Sequence, residues 1–218
     1  MSRGRDVGSK ARSLTREDVI EAAAELVAEV GFAGLGMRAL AERCGVATMT
    51  LYRHVDTKED LLSELADRVL AQLTLPAPGT LSWQEELTTV FRSVHDLLLE
   101  HPDIVEIVAR QPVAGEAAYR GAEVVLDALR RAGIEGEAAA SAFATLYTFT
   151  LGFVQQQLSM SVSGDSLDRR KGLLDRLPVD DFDNLSRLGA VFLLRHSDRH
   201  FDDGLDTIIR GLASKATQ

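Results

Sequence analysis

Hydrophobic residues recur every three or four positions along most of the chain, a spacing typical of amphipathic helices. The first stripe consists of Val19, Ala23, Leu26, Val27 and Val30. It predicts a helix over about 15–30, which begins with a capping pattern formed by Thr15 and Asp18. Gly31 can adopt the left-handed conformation that often follows the last turn of a helix.

Three more helices are predicted before residue 75. Two of them, at 38–44 and 48–54, are short, and Gly45 lies between them. Thr57 repeats the capping pattern and begins a longer helix that runs to about residue 74. Residues 15–74 are therefore expected to form one domain, in which 58–74 is the connecting helix.

Pro76, Pro78 and Gly79 interrupt the pattern and mark a domain boundary. Beyond them the spacing predicts helices at 82–100, 103–110, 115–132, 137–161, 183–195 and 202–215. The polar stretch 163–181 is expected to separate two of these helices. No segment alternates with a period of two over a useful length, so the expected fold class is all-α, with a second domain at 75–218.

The segment 138–164 contains no charged residue and is apolar on all sides. Such a helix is buried, either inside a protein or in a membrane. Its length would permit a membrane span, but the glutamines at 155–157 and several hydroxyl groups make hydrocarbon an unfavourable environment. We expect it to lie in the protein core or between two subunits. The last helix offers a second apolar stripe, and two such helices from each chain would form a homodimer interface.

Charge is distributed unevenly along the chain. The net charge of −9 argues against indiscriminate nucleic-acid binding. However, residues 1–54 hold eight Lys and Arg against seven Asp and Glu, whereas residues 55–218 hold sixteen against twenty-six. The first quarter is thus the electropositive end. The single cysteine, Cys44, excludes an internal disulfide, and no signal peptide is evident, so a cytoplasmic location is expected.

Residues 1–14 are interpreted as a flexible basic arm, because four basic residues lie among Gly and Ser with almost nothing apolar: Arg3, Arg5, Lys10 and Arg12. Basic arms of this kind reach into the minor groove of DNA. A solvated tail without a binding role is the alternative.

Two short helices joined by a glycine-containing turn predict a helix-turn-helix motif. Gly45 tolerates the backbone conformation of the turn, and Leu51 and Val55 are expected to face inward. The second helix would place its exposed side chains in the major groove, where Thr, Arg and His can bond to bases or phosphates and Met49 can contact a thymine methyl group.

The stretch RALAERCGVATMTLYRHVDTKEDLL resembles the DNA-binding domain of the TetR family of transcriptional regulators. The segments HPDIVEIVARQP, RRAG and DRHFDDGLDTIIRGL are similar to the C-terminal domain of the tetracycline-repressor branch of that family. The resemblance implies a homodimeric repressor that a small molecule releases from a palindromic double-stranded DNA operator. No membrane association is expected, because the polar side chains of 138–164 place that segment in a protein core or between subunits.

The resemblance also implies that eight residues contact DNA: Arg38, Thr48, Met49, Thr50, Tyr52, Arg53, His54 and Lys58. The first three are expected to face bases, Arg53 could contact a base or the backbone, and the others are expected to hold the backbone. Tyr52 is also compatible with a core aromatic ring whose hydroxyl is at the surface. Ala47 stands where family members often have a serine cap, so the start of this helix is expected to be weak unless Thr48 substitutes.

The small molecule is expected to bind in the C-terminal domain. Candidate pocket residues are the amphipathic or polar groups Phe91, His95, Gln111 and Tyr147, for each of which ordinary packing is the alternative. No histidine aligns with the metal-binding position of the tetracycline–magnesium pocket, so no metal or other cofactor is implied. His196 and His200 are four residues apart but lack an evident third ligand.

Two other classes of function are less well supported. An all-α enzyme would need a nucleophile–base spacing, a phosphate-binding loop or a metal set, none of which the sequence offers. A helical interaction module would use the helix-turn-helix to contact protein instead of DNA. The sequence therefore favours a ligand-responsive DNA-binding regulator.

Overall fold

The computed structural model describes residues 13–110, 113–161, 164–193 and 197–216. The regular structure in these ranges is helical, which confirms the all-α fold class. The helices are α1 (Arg16–Gly34), α2 (Met37–Arg43), α3 (Thr48–Leu51), α4 (Lys58–Leu70), α5 (Trp83–Glu100), α6 (Pro102–Arg110), α7 (Glu116–Arg131), α8 (Gly136–Ser161), α9 (Gly164–Leu174), α10 (Asp183–Leu188) and α11 (Asp198–Ala216). A 3-10 helix, Gly189–Leu193, follows α10. Across the described ranges, no helix combines the length and apolarity that a membrane span requires.

The chain divides into two compact units after Leu65, within α4. The core of the first unit is built from α1 to α4 and includes Val19, Ile20, Ala23, Leu26, Leu35, Leu40, Leu51, Val55, Leu61 and Leu65. The core of the second unit joins α5, α7, α8 and α11 and includes Leu87, Phe91, Val125, Leu129, Leu146, Phe201, Leu205 and Ile209. The boundary expected from the sequence keeps 58–74 with the first domain, whereas the compact units assign Ala66 onward to the second.

The start of α1 follows the capping pattern. The backbone N–H of Asp18 donates to Thr15 Oγ1 (3.1 Å), and the backbone N–H of Thr15 donates to Asp18 Oδ2 (2.8 Å). The helix is interrupted at Gly31, whose φ of 73° is left-handed. Val30, predicted to lie in the apolar stripe, is 50% exposed because the helix is kinked at Gly31. Phe32 packs against the core instead.

The turn between α2 and α3 is built on Gly45, which has a φ of 67°. The N–H of Gly45 donates to the carbonyl of Glu42 (3.2 Å), and the N–H of Val46 donates to the carbonyl of Ala41 (3.0 Å). This pair of bonds is the arrangement by which a left-handed residue ends a helix. Val46 then packs against the core of the first unit. The glycine therefore sets the direction in which the chain enters α3.

Helix α3 is shorter than the predicted 48–54. Regular helix covers Thr48–Leu51, and residues 52–54 continue as a turn in which the N–H of His54 donates to the carbonyl of Leu51 (2.8 Å). Ala47 at the N-cap makes no side-chain hydrogen bond, which agrees with the weak start expected from the sequence. Leu51 and Val55 are buried, which confirms that they face inward.

In the second unit, a buried carboxylate fixes the segment that precedes α5. Glu86 accepts a hydrogen bond from the backbone N–H of Gly79 (2.7 Å) and pairs with Arg131 of α7. The carboxylate of Glu86 thus joins the segment at Gly79, helix α5 and helix α7. Removing one partner of such a buried ion pair would leave an uncompensated charge.

Two predictions about the C-terminal part were wrong. The stretch 163–181 was expected to separate two helices, but α9 occupies part of it. Its sequence carries no apolar stripe that would indicate a helix, and Asp168, Arg169 and Lys171 are exposed. The predicted helix 183–195 ends earlier, because Gly189 has a φ of 52° and terminates α10 at Leu188.

Substituting Gly45 by alanine should lower the free energy of opening of the first unit by about 1–2 kcal/mol, because the left-handed conformation is unfavourable for a residue with a Cβ atom. Native-state hydrogen exchange of the buried Leu51 and Val55 amides measures this free energy. Gly211→Ala is the control, because Gly211 lies inside α11 with open space around its Cα and should be neutral or stabilising. An unchanged opening free energy in Gly45→Ala would contradict the role given to the turn.

Candidate nucleic-acid interface and ligand cavity

Residues 48–58 present polar and apolar side chains on the face opposite the core. Leu51 and Val55 are buried, while Met49 is 77% exposed and Tyr52 is 43% exposed. Arg53 is also exposed. A large apolar side chain as exposed as Met49 is informative on a segment that is otherwise polar, because it offers contact area to a partner.

The remaining predicted contact residues lie around this exposed group. Thr48, Thr50, His54 and Lys58 are partly buried, and Lys58 is the first residue of α4. Thr57 caps that helix by accepting a hydrogen bond from the N–H of Asp60 (3.0 Å). The start of α4 thus brings a positive side chain and a helix N-terminus to one place, and both attract phosphate.

Charges in this region differ in their availability. Among the described residues, no carboxylate pairs with Arg53 or Lys58. Arg38, by contrast, donates from Nε to Glu42 Oε1 (3.2 Å) on the next turn of α2. Its side chain is highly exposed, so this pair can exchange for another acceptor at little cost.

The second unit contains a cavity of about 680 Å³. Its wall is formed by Leu70 and Leu73, by α5 and α6, by the first half of α7 and by one side of α8. The wall is mainly aliphatic and aromatic, and its larger side chains include Phe91, Leu98, Tyr119, Phe143, Tyr147 and Leu151. The volume lies within the range of pockets that hold small organic molecules.

Few polar groups reach the cavity, and the best placed is the Tyr147 hydroxyl. It donates to the backbone carbonyl of Val108 (3.2 Å), and the Tyr147 ring lies nearly parallel to that of Phe143 with centroids 6.2 Å apart. Burial raises the pKa of the Tyr147 phenol above its ordinary value. Arg110, also in the wall, is paired with Glu106 one turn earlier on α6.

The four predicted pocket residues have different positions. Phe91 and Tyr147 line the cavity, whereas Gln111 lies outside the described residues. His95 is buried elsewhere: its ring stacks on Phe201 with centroids 4.1 Å apart, and its two nitrogens lie 2.9 Å from Asp96 Oδ1 and 3.1 Å from Gln157 Oε1. Ligand binding by these residues stays a prediction.

Sequence reasoning did not select Tyr119, Phe143 or the wall residues Gly121 and Gly152. Tyr119 is 65% exposed although it contributes to the wall, so it lies at an open edge. Added Cβ atoms at the two glycines would meet nothing within 4 Å, so both face open space. The sequence feature that could have indicated these wall residues is a stripe of small residues on α7 and α8. Such a stripe is equally typical of close helix packing.

The histidines and the single cysteine lie apart from one another in the described ranges. No group of three or more His, Cys, Asp or Glu side chains there could hold a metal ion. His200 hydrogen-bonds to Ser197 (2.7 Å), and His196 lies outside the described residues, as does the predicted basic arm up to residue 12. Burial raises the pKa of the Cys44 thiol, which lowers its thiolate fraction and hence its reactivity.

A helix-turn-helix unit followed by a helical unit with an apolar cavity defines a one-component transcriptional regulator. Residues 19–65 match the family model of bacterial regulatory proteins of the tetR family, and residues 75–216 match that of the tetracyclin repressor-like C-terminal domain. The chain therefore belongs to the TetR family and is a transcriptional regulator.

Relatives match along nearly the whole chain. An HTH-type transcriptional regulator from Saccharopolyspora erythraea is 30% identical over 205 residues, which is 93% of this chain and 86% of that protein. The class D tetracycline repressor protein from Escherichia coli is 32% identical over 211 residues, with 94% and 91% covered. The structure of the TetR family protein ActR from Streptomyces coelicolor in complex with actinorhodin has a TM-score of 0.83 at 30% identity and covers 94% of this chain and 99% of that chain.

The raised pKa of Tyr147 predicts a pH-dependent stability difference. Because the folded state holds the phenolic proton more tightly than the unfolded state, wild type should lose stability as pH rises above about 10, the ordinary tyrosine pKa, and Tyr147→Phe should lack this loss. At pH 8 the variant should be less stable by about 0.5–1.5 kcal/mol through the lost hydrogen bond, and the difference should shrink by pH 11.

Thermal unfolding at the two pH values measures this difference. The matched control is Tyr119→Phe, because it removes the same hydroxyl group from a side chain that is mostly exposed. A Tyr147→Phe difference that stays constant or grows would contradict the assignment.

Proposed function

We propose that the protein is a repressor that binds a palindromic operator as a homodimer and leaves it when a small molecule occupies the cavity of the second unit. The observation that carries this proposal is the outward face of residues 48–58, on which Met49, Tyr52 and Arg53 are exposed. Leu51 and Val55 of the same segment are buried and anchor it to the core. The mixture of hydroxyl, aromatic and basic side chains on this face suits the major groove of DNA.

The contacts divide into base-reading and positioning roles. Arg38, Thr48 and Met49 face bases, where Met49 offers its exposed thioether side chain to a thymine methyl. Tyr52, His54 and Lys58 hold phosphates, together with Thr50. Arg53 has no carboxylate partner among the described residues and contacts either group. Substituting the residues that face bases should therefore reduce sequence specificity. Substituting those that hold phosphates should weaken affinity for all DNA sequences about equally.

The effector is proposed to be a mainly apolar molecule with at least one planar ring. The wall of the cavity is largely aliphatic and aromatic, and it includes the parallel rings of Phe143 and Tyr147, on which a planar ring could pack. The Tyr147 hydroxyl already donates its proton to Val108, so towards a ligand it is an acceptor. ActR, with a similar fold, was solved with actinorhodin bound, which supports an organic effector for this chain.

Release of DNA is proposed to act through α4. This helix begins in the first unit and ends in the second, where Leu70 lines the cavity. In the proposed dimer, the two helix-turn-helix units are the reading heads, and their separation must match one turn of DNA, ~34–36 Å. A ligand that shifts the end of α4 would change this separation. A coupling free energy of about 1–3 kcal/mol between two such sites is typical.

The dimer is proposed to form through α8 and α11. The two helices pack together within one chain, and α8 keeps an exposed face that is uncharged over several turns and includes Ser141, Thr145, Gln156 and Ser159. Exposed helix faces of monomeric proteins normally carry charge. A second copy of the same face would complete a four-helix interface.

Thr145→Arg should therefore convert a dimer into a monomer at micromolar concentration, because it places a charge in the middle of the proposed interface. Sedimentation velocity distinguishes the two states. Thr89→Arg is a matched control, because Thr89 and Thr145 are both exposed and each donates its hydroxyl to the carbonyl four residues earlier. A wild-type chain that sediments as a monomer would refute the proposed dimer.

Operator binding can be tested by band shift on the DNA that flanks the gene for this protein. Wild type should retard a fragment at moderate salt, and Lys58→Ala should weaken binding and lower the slope of log affinity against log salt by about one per reading head. Lys171→Ala removes the same charge from exposed α9 and should leave the slope unchanged. Absence of retardation, or equal effects of the two substitutions, would count against the proposal.

A further inference from the structure

Asp67 of α4 caps the N-terminus of α7 from outside that helix. Its carboxylate accepts hydrogen bonds from the backbone N–H of Ala118 to Oδ1 (2.8 Å) and from the backbone N–H of Ala117 to Oδ2 (3.2 Å). The N-cap residue of α7 is Gly115, which has no side chain to serve this purpose. Two of the first three N–H groups of α7 are thus satisfied by a residue about fifty positions earlier in the chain.

Gly115 leaves the space that the carboxylate needs. A Cβ atom at this position would lie 2.0 Å from Asp67 Cγ and 2.3 and 2.4 Å from its two oxygens. The backbone of Gly115 is extended, with φ −156° and ψ 168°, and any residue could adopt it. Glycine is therefore required here by the approach of Asp67 and not by backbone conformation.

The two elements joined by this contact both border the ligand cavity. Ala118, which donates the shorter bond, lines the cavity together with Tyr119, and Leu70 lines it one turn after Asp67. A molecule that displaces the first turn of α7 must therefore either carry Asp67 with it or break both hydrogen bonds. In the first case α4 moves with Asp67, and in the second α4 loses its hydrogen bonds to α7.

We propose that Asp67 is the positioning residue that couples occupancy of the cavity to α4, through the capped first turn of α7. This inference rests on the proposed function, in which α4 sets the separation of the reading heads. It assigns the regulation to one carboxylate, to the two amides that it binds and to the glycine that admits it.

The experiment uses hydrogen exchange of the α7 amides at Ala117 and Ala118, with and without the DNA fragment retained in the band shift. Because coupling is reciprocal, binding of DNA should slow exchange of these amides by about fivefold or more in wild type. The change on adding DNA should be absent in Asp67→Ala and in Gly115→Ala, each compared with its own DNA-free rate. Asp127→Asn is the control, because it removes a carboxylate that lies on α7 itself and pairs with Arg130 and Arg131 of the same helix.

The outcomes separate this inference from the proposed function. If no fragment is retained, the proposed function fails. If DNA binds wild type but leaves the exchange rate of the α7 amides unchanged, the role of Asp67 is refuted while DNA binding stands. The same holds if the change in exchange rate persists in both Asp67→Ala and Gly115→Ala. A merely structural role would raise the basal exchange rate in the variants without removing the response to DNA.

The cavity side of the coupling can be tested without a ligand. Gly121 lies on α7 and faces open space, so Gly121→Phe places a ring inside the cavity next to the first turn. This substitution should weaken binding of the same DNA fragment by about fivefold or more, and the double variant with Asp67→Ala should bind like Asp67→Ala alone. Unaltered binding by Gly121→Phe, or additive effects in the double variant, would overturn the proposal.

Discussion

The burial of Leu51 and Val55 is the contact on which the reading head depends. Helix α3 contains only four residues, and an isolated helix of this length is not stable in water. Its N-cap is Ala47, which contributes no side-chain hydrogen bond. The conformation of residues 48–55 is therefore imposed by packing on the first unit and by the turn at Gly45. Because that packing uses only one side of the segment, the other side is left available for a partner.

This arrangement explains how an acidic protein can bind DNA selectively. The net charge of −9 disfavours long-range attraction to phosphate, so affinity must come from a small area in which basic groups are not neutralised by neighbours. Arg53 and Lys58 meet that condition within the described residues, whereas Arg43, only ten residues earlier, is held by Glu25 and Glu29 of α1. Arg43 thus has a structural role, whereas Arg53 and Lys58 keep the availability that the proposed DNA contacts require.

The sequence was sufficient for the features that depend on local pattern. The fold class and the position of the helix-turn-helix were predicted from helical periodicity, the Thr15 and Thr57 caps and the Gly45 turn. Each of these signals is determined by residues within a few positions of one another. Helix α9 was missed because it has no apolar stripe, and the predicted 183–195 helix failed at Gly189, whose left-handed backbone only the structure reveals. The cavity was the least predictable feature. Its wall combines small and aromatic residues from five separate stretches, and His95 differs from Phe91 only in how α8 and α11 pack around it.

Asp67 illustrates the same limit and also sets the scale of regulation. Nothing near residue 67 in the sequence indicates a partner fifty positions away, and Gly115 looks like an ordinary loop glycine until the carboxylate is seen against it. A hydrogen bond to a charged group contributes about 1.5–3 kcal/mol, so weakening just one of the two bonds is of the size of a typical allosteric coupling, about 1–3 kcal/mol. A ligand can shift an equilibrium only by its differential affinity for the two states. A mainly apolar effector, which has little electrostatic effect of its own on α4, would gain that difference by moving the first turn of α7 and thereby changing what Asp67 can bind.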